Sequence, residues 1–171
     1  MSRFRLTWDK GVALLLVISC LVGPFTSPYF ATSSNISFII QDIGEIMIVA
    51  LPMTFLIIAG EIDLSVASIM NLTSASIGFA YFRGVSFGLS VLIGLIVGTL
   101  CGLLNGILVT KFGLQSLAVT IGTLALFRGL CYVLLGNQPV DFLSAKITHI
   151  GYDNIPHTFF PYTTVLLVLL G

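Results

Sequence analysis

Charged side chains are scarce in this sequence. Of its 171 residues, 8% are charged and 57% are hydrophobic, and the mean hydropathy is +1.10. Soluble domains carry about 25% charged residues, so these side chains are too few to cover a surface exposed to water. The seven acids balance the seven bases, which leaves no net charge to attract nucleic acid. The composition predicts an integral membrane protein embedded in a lipid bilayer, and it argues against a nucleic-acid partner.

Motifs for catalysis, metal binding and nucleotide binding are also missing from the sequence. No lysine lies in a GxxxxGK[ST] phosphate loop, and no Ser/His/Asp set or metal constellation is present. Cys20, Cys101 and Cys131 lie in apolar stretches without CxxC spacing, which predicts that they pack rather than bind metal. The chain is therefore predicted not to be an enzyme and to bind no cofactor or metal itself.

Long uncharged runs occupy most of the chain. A helix needs about 20 apolar residues to cross a hydrocarbon core of about 30 Å. The runs predict an all-α membrane protein, a polytopic bundle of transmembrane helices that forms a single domain over residues 1–171. The predicted spans are residues 11–30, 36–60, 64–82, 85–110 and 114–135, followed by a short sixth segment at 158–171.

Three of these segments are unusual. Residues 64–82 form a short run, which predicts either a full crossing or a broken, re-entrant element. Residues 158–171 are too few to cross the membrane, which predicts a truncated product or one part of a longer chain. The second segment contains Pro52 and is predicted to be kinked.

The positions of the basic residues predict an orientation, because cytoplasmic loops are enriched in lysine and arginine. If every segment crosses, one side of the membrane carries Arg3, Arg5, Lys10 and Lys111, and the other carries Arg83 and Lys146. This bias predicts a cytoplasmic N-terminus and places residues 136–157 outside the cell. If residues 64–82 only re-enter, every later loop changes sides.

A glycine repeat marks the fourth segment, where Gly94, Gly98, Gly102 and Gly106 follow one another at intervals of four. This spacing predicts a stripe without side chains, against which another helix packs closely. Dimerisation through the stripe is the alternative. Asn105 lies near the stripe and is predicted to form a hydrogen bond across the contact or to line a solute pathway.

Three ionisable residues lie within the predicted spans. Asp42 and Glu45 share one helix face, and they are predicted either to line the entrance of a pathway or to reach the lipid headgroups. Arg128 lies in the fifth segment, where a buried cation costs about 2.5 kcal/mol or more. It is predicted either to extend to the interface or to take part in a salt bridge or polar pathway.

The run GEIDLS at residues 60–65 indicates a helix stop followed by a helix start. Asp63 or Ser65 could cap the new helix. The alternative is a broken element that faces a polar cavity, because irregular backbone at membrane depth must meet protein or water.

Four short runs resemble the signature of ribose-type ABC importer permeases. They are ALPMT at residues 50–54, GEIDLSVAS at 60–68, GLLNG at 102–106, and TIGTL at 120–124 followed by Arg128-Gly129. Within the signature bend formed by Glu61, Asp63 and Ser65, Glu61 stands where the family pattern usually has glycine, as does Ala67 further on. These departures predict a less permissive bend.

The resemblance implies a permease subunit in the bacterial inner membrane. Two permeases would form the pathway for a monosaccharide that a periplasmic sugar-binding protein delivers. Cytoplasmic ATPase subunits would supply the energy, binding ATP and Mg that this chain does not hold. Family members continue for about as long again. A proton-coupled secondary transporter using Asp42 or Glu45, and a fragment that transports nothing, are the alternatives.

Overall fold

The computed structural model describes residues 8–136 of the chain. These residues form five helices, α1 (Trp8–Thr26), α2 (Ser33–Ile58), α3 (Val66–Phe82), α4 (Phe87–Thr110) and α5 (Ser116–Leu135). The predicted all-helical membrane fold is confirmed, because α1, α2, α4 and α5 are each long and apolar enough to cross a bilayer. Helix α3 is apolar but shorter. The predicted short segment 158–171 and most of the predicted outer loop lie outside the described residues.

The first two helices are bounded differently from the prediction. Helix α1 ends at Thr26, short of residue 30, because a residue that precedes a proline disfavours helical backbone and Pro28 follows Ser27. Helix α2 already begins at Ser33 rather than at residue 36. The Thr32 hydroxyl accepts a hydrogen bond from the Asn35 amide at 3.3 Å. The polar cluster before residue 36 thus starts a helix as well as separating two spans.

The described chain divides into two compact units, with the boundary inside α2 between Ile48 and Val49. The first unit contains α1 and the beginning of α2. Its turn brings the Phe30 ring against Gly23, where any Cβ would overlap the ring. The second unit contains the end of α2 with α3, α4 and α5, and it holds the features described below.

Helix α3 is central to the second unit, since it packs against both α4 and α5. Its core is one buried residue from each helix, Leu72, Cys101 and Phe127. Helix α3 runs antiparallel to α4 along most of its length. Four pairs of neighbouring residues trace this arrangement: Ser65 with Asn105, Thr73 with Gly98, Ile77 with Gly94, and Tyr81 with Phe87.

The glycine stripe of α4 divides into two halves. A Cβ at Gly94 would overlap the Ile77 side chain, and a Cβ at Gly98 would lie 2.9 Å from the Thr73 hydroxyl. At Gly102 and Gly106 a Cβ would have no neighbour within 4 Å among the residues that the structure describes. Each step of four residues rotates the stripe by about 40° around the helix, so only its first half faces α3. A packing role for the second half remains a prediction.

This difference predicts opposite effects of two alanine substitutions on α4. Gly94→Ala forces a methyl group against Ile77, and such overpacking typically costs about 1–3 kcal/mol. Gly102→Ala adds the same methyl group in open space, where alanine favours a helix by roughly 0.5–1 kcal/mol over glycine. Thermal unfolding of the two purified variants in detergent should show a lower midpoint for Gly94→Ala only. Equal midpoints would contradict the packing.

Candidate functional site

The segment between α2 and α3, residues 59–65, is not helical and is here named the connector. Helix α2 stops at Gly60, whose φ of 79° favours glycine. The Gly60 amide donates to the Ile57 carbonyl at 3.0 Å and the Glu61 amide to the Leu56 carbonyl at 2.9 Å. This pair of bonds is a Schellman motif. The predicted helix stop is therefore present, and it satisfies two of the last carbonyls of α2.

Asp63 organises the start of α3. Its Oδ1 accepts hydrogen bonds from the Ser65 amide at 2.7 Å and from the Ser65 hydroxyl at 2.6 Å. Ser65 occupies the N-cap position, but its side chain does not cap the helix. Its carbonyl instead accepts from the Ile69 amide and from the Ser68 hydroxyl. The aspartate thus fixes the turn that leads into the helix, while the serine hydroxyl remains available to a neighbouring helix.

Asn105 of α4 uses that hydroxyl. Its Nδ2 donates to the Ser65 oxygen at 2.8 Å, and both residues are buried. Because the Ser65 proton is directed to a carboxylate, which only accepts, the Ser65 oxygen must accept from the asparagine. The amide is thereby oriented, and no described donor reaches its Oδ1. We name the Asp63, Ser65 and Asn105 set the clamp.

Helix α5 holds the connector at a second point, the backbone of Ile62. The Ile62 amide donates to the Ser116 hydroxyl at 3.3 Å, and the Ile62 carbonyl accepts from the Thr120 hydroxyl at 3.3 Å. Thr120 also donates to the Ser116 carbonyl of its own helix at 2.9 Å. The hydrogen bonds to Ile62 are thus longer than those of the clamp. The Thr120 hydroxyl also has a second acceptor, the Ser116 carbonyl.

Two cavities adjoin the connector. One, of about 220 Å³, is lined by the clamp residues Asp63 and Asn105 together with Gly102 and Gly106, and its polar lining includes Thr120. We name it the inner cavity. The other, of about 360 Å³, is the outer cavity, and it is lined by Gly60 and by residues 113–117 of the α4–α5 turn. Four residues line both cavities: Glu61, Ile62, Val109 and Ser116.

The predicted site residues therefore fall into separate groups. Glu61, Asp63, Ser65 and Asn105 come together at the connector. Asp42 and Glu45 belong to the first unit, where both are exposed on α2. Arg128 is exposed on α5, about 12 Å along the helix axis from Thr120. The roles predicted for Asp42, Glu45 and Arg128 remain predictions.

Sequence reasoning did not select Ser116 and Thr120 as site residues. Thr120 begins the TIGTL run, which was read only as part of a resemblance. Nothing in the local pattern indicates that their hydroxyl groups reach a segment more than 50 residues earlier in the chain.

The sequence of the chain matches a family of known proteins. The family described as the permease component of the branched-chain amino acid transport system matches residues 35–170. The chain belongs to this family of transport-system permease components. The permease family predicted from the short runs is thus confirmed.

The chain is similar to the autoinducer 2 import system permease protein LsrD of Escherichia coli (strain K12) and of Shigella flexneri. In both comparisons 36% of 134 residues are identical, which covers 78% of this chain and 41% of the relative. The chain thus spans less than half the length of these relatives. No solved structure matches it.

The clamp predicts energetic coupling between Ser65 and Asn105. In a double-mutant cycle of Ser65→Ala and Asn105→Ala, each substitution should lower the free energy of unfolding. The double variant should lose less than the sum of the two single losses, by about 0.6–2 kcal/mol, the range for hydrogen bonds between membrane helices. Reversible unfolding of the purified chain in detergent measures the four variants.

A matched control is Ser65→Ala combined with Ser90→Ala. Ser90 is equally buried, but its hydroxyl donates to Ser86 at the start of its own helix. The losses of unfolding free energy caused by these two substitutions should be additive. Additivity in both cycles would show that the Ser65–Asn105 bond contributes no coupling.

Proposed function

We propose that this chain forms part of the pathway of a bacterial importer for a small, hydroxyl-rich solute. The observation that carries the proposal is the broken connector between α2 and α3, which faces a cavity with oxygen acceptors from Glu61, Asp63 and Asn105. Transporters use interrupted helices in this way, because irregular backbone at membrane depth is stable only beside protein or a polar cavity. A hydroxyl-rich solute donates hydrogen bonds that these acceptors can receive.

The proposed solute is a monosaccharide, and autoinducer 2 is the second solute to test. The first follows from the resemblance to ribose-type permeases, and the second from the names of the similar proteins. A periplasmic binding protein would deliver the solute, and the predicted loop at residues 136–157 would meet it. A second permease subunit would complete the pathway. Cytoplasmic ATPase subunits would bind ATP and Mg and supply the energy.

We further propose that α3 crosses the membrane and does not re-enter. Its antiparallel course beside α4, from the Ser65–Asn105 bond to the Tyr81–Phe87 ring contact, supports this. The connector and Lys111 would then lie at the cytoplasmic end of the second unit, with Arg83 at the opposite end. Asn105 would lie about 9 Å deeper than Lys111 along α4.

The topology predicts opposite labelling of two single cysteines in a chain without its native cysteines. Val85→Cys, between α3 and α4, should react with a membrane-impermeant maleimide in intact spheroplasts. Phe112→Cys, between α4 and α5, should react only after permeabilisation. Reversed labelling, with Phe112→Cys reactive in intact spheroplasts and Val85→Cys protected, would indicate that α3 re-enters, whereas labelling of both from the same side would indicate that α4 does not cross.

The transport proposal predicts uptake that depends on partner proteins. Labelled ribose, rhamnose, xylose and autoinducer 2 would be supplied to cells that express the chain with its neighbouring genes. Uptake of at least one solute should require both the ATPase and the binding protein. It should survive an uncoupler while ATP is maintained, because ATP rather than the proton gradient drives import.

The alternatives give different results in the same experiment. Collapse of uptake on dissipation of the proton gradient, with ATP intact, would indicate a proton-coupled transporter with Asp42 or Glu45 as the proton carrier. Absence of uptake, with a chain that purifies without an ATPase subunit or a second permease, would indicate a fragment that transports nothing.

A further inference from the structure

Two sets of hydrogen bonds hold the connector at the proposed cytoplasmic end of the second unit. One set is short and forms the firm side of a partition between the two cavities, and the other is long and forms its weak side. We define the strap as residues 60–62. The strap contributes Glu61 and Ile62 to both cavities, and Val109 and Ser116 complete the set of shared residues. Residues that line two neighbouring cavities lie between them. The strap and its attachment to α5 therefore separate the inner cavity from the outer one.

The firm side of this partition is the clamp. Its three hydrogen bonds measure 2.6–2.8 Å, and Ser65 and Asn105 are 0% and 5% exposed. The Ser65 carbonyl also holds the first turn of α3. Movement of Ser65 would therefore break the start of α3 together with its link to α4. The clamp is suited to remain in place during a conformational change.

The weak side is the attachment of the strap to α5. It consists of two hydrogen bonds of 3.3 Å to the Ile62 backbone, which are longer than the usual range for such bonds. Release of the Ile62 carbonyl leaves Thr120 bonded to Ser116, so its hydroxyl keeps an acceptor. The Ile62 side chain is 50% exposed, and its movement breaks little packing.

The strap also has a pivot and free space. Gly60, at its first residue, has the positive φ that ends α2, and a glycine there tolerates further backbone rotation. Gly102 and Gly106 line the inner cavity without a described atom within 4 Å of their Cβ positions. The Glu61 amide stays bonded to the Leu56 carbonyl at 2.9 Å and Asp63 stays in the clamp, so the movement is a local rotation at Ile62 that meets no side chain from Gly102 or Gly106.

We propose that residues 60–62 are a gate between the inner and outer cavities. It opens by releasing Ile62 from Ser116 and Thr120, while the clamp holds α3 to α4. Release joins the two cavities into one passage towards the α4–α5 turn, with the acceptor oxygens of Glu61, Asp63 and Asn105 in its lining. The proposal rests on the proposed transport function, and it assigns to the connector the control of solute release.

The test is a reversible lock on the gate. In a chain whose three native cysteines are replaced by alanine, Ile62→Cys and Ser116→Cys would be joined by oxidation. ATP-driven uptake by the assembled importer should fall at least about tenfold on oxidation and recover on reduction. The control lock joins Thr73→Cys of α3 and Gly98→Cys of α4, where a Cβ at position 98 would lie 2.9 Å from the Thr73 hydroxyl, close enough for a disulfide, and it should leave uptake unchanged.

Full uptake with the 62–116 disulfide complete would overturn the gate, as would equal loss of uptake with both locks. A second readout needs no transported solute. In the assembled complex, the rate of 62–116 disulfide formation should differ at least about tenfold between the nucleotide-free state and the state trapped with ATP and vanadate. The rate for the 73–98 pair should not differ.

The two readouts separate failure of the gate from failure of the proposed solute. Equal 62–116 rates in both nucleotide states would show that the strap does not move in the ATPase cycle, even if a monosaccharide is imported. A state-dependent rate, with no uptake of any tested solute by the unlocked chain, would support the gate and overturn the choice of solute.

Discussion

The second unit depends on one constraint: within a bilayer, a backbone group that leaves a helix must find its hydrogen-bond partner in the protein. The connector leaves the helix between α2 and α3, and several of its backbone groups are bonded within the chain. The Gly60 and Glu61 amides donate to carbonyls of α2. The Ile62 amide donates to a hydroxyl of α5, and the Ser65 amide donates to the Asp63 carboxylate. Neighbouring helices must therefore approach closely enough to supply side chains, and this requirement accounts for the polar residues at their ends.

The lipid environment also explains which side chains are buried in the core of the second unit. Lipid is as apolar as leucine, so burying a large aliphatic side chain gains little, and helices associate through small residues that allow close approach. The buried residues of α3 are accordingly small or polar, apart from Leu72: Ser68, Ala75, Ser76, Gly78 and Ala80. Both of their hydroxyl groups, of Ser68 and Ser76, donate to backbone carbonyls three or four residues earlier in the chain. The large side chains of α4, such as Leu95, Leu100 and Leu103, are exposed.

The helices could be predicted because a membrane-spanning helix must be long enough to cross the bilayer and must carry few charges. Both properties can be read directly from the sequence. The helix boundaries near residues 26 and 33 were less accurate, because the same polar residues both separate spans and begin helices. The connector was recognised as a stop and a start from Gly60 and Asp63. Its partners could not be predicted, since Asn105 and Thr120 meet it only after α3, α4 and α5 have packed.

The glycine stripe shows a related limit of prediction from the sequence. Spacing by four residues places glycines near one another on a helix, but the accumulated rotation carries Gly106 about 120° from Gly94. Only the tertiary contact shows where the stripe leaves α3, and that point is where the inner cavity begins. Asn105 remains on the buried face because it lies only about 20° from Gly94. One helix therefore packs with its first half and borders a cavity with its second.

Glu61 lines both the inner and the outer cavity. It stands where the resemblance to ribose-type permeases leads us to expect glycine. Its carboxylate adds two acceptor oxygens to the lining that the cavities share. The hydrogen bonds of the helix stop use only backbone groups of residues 60 and 61, so the glutamate side chain takes no part in them, and a less permissive bend stays a prediction.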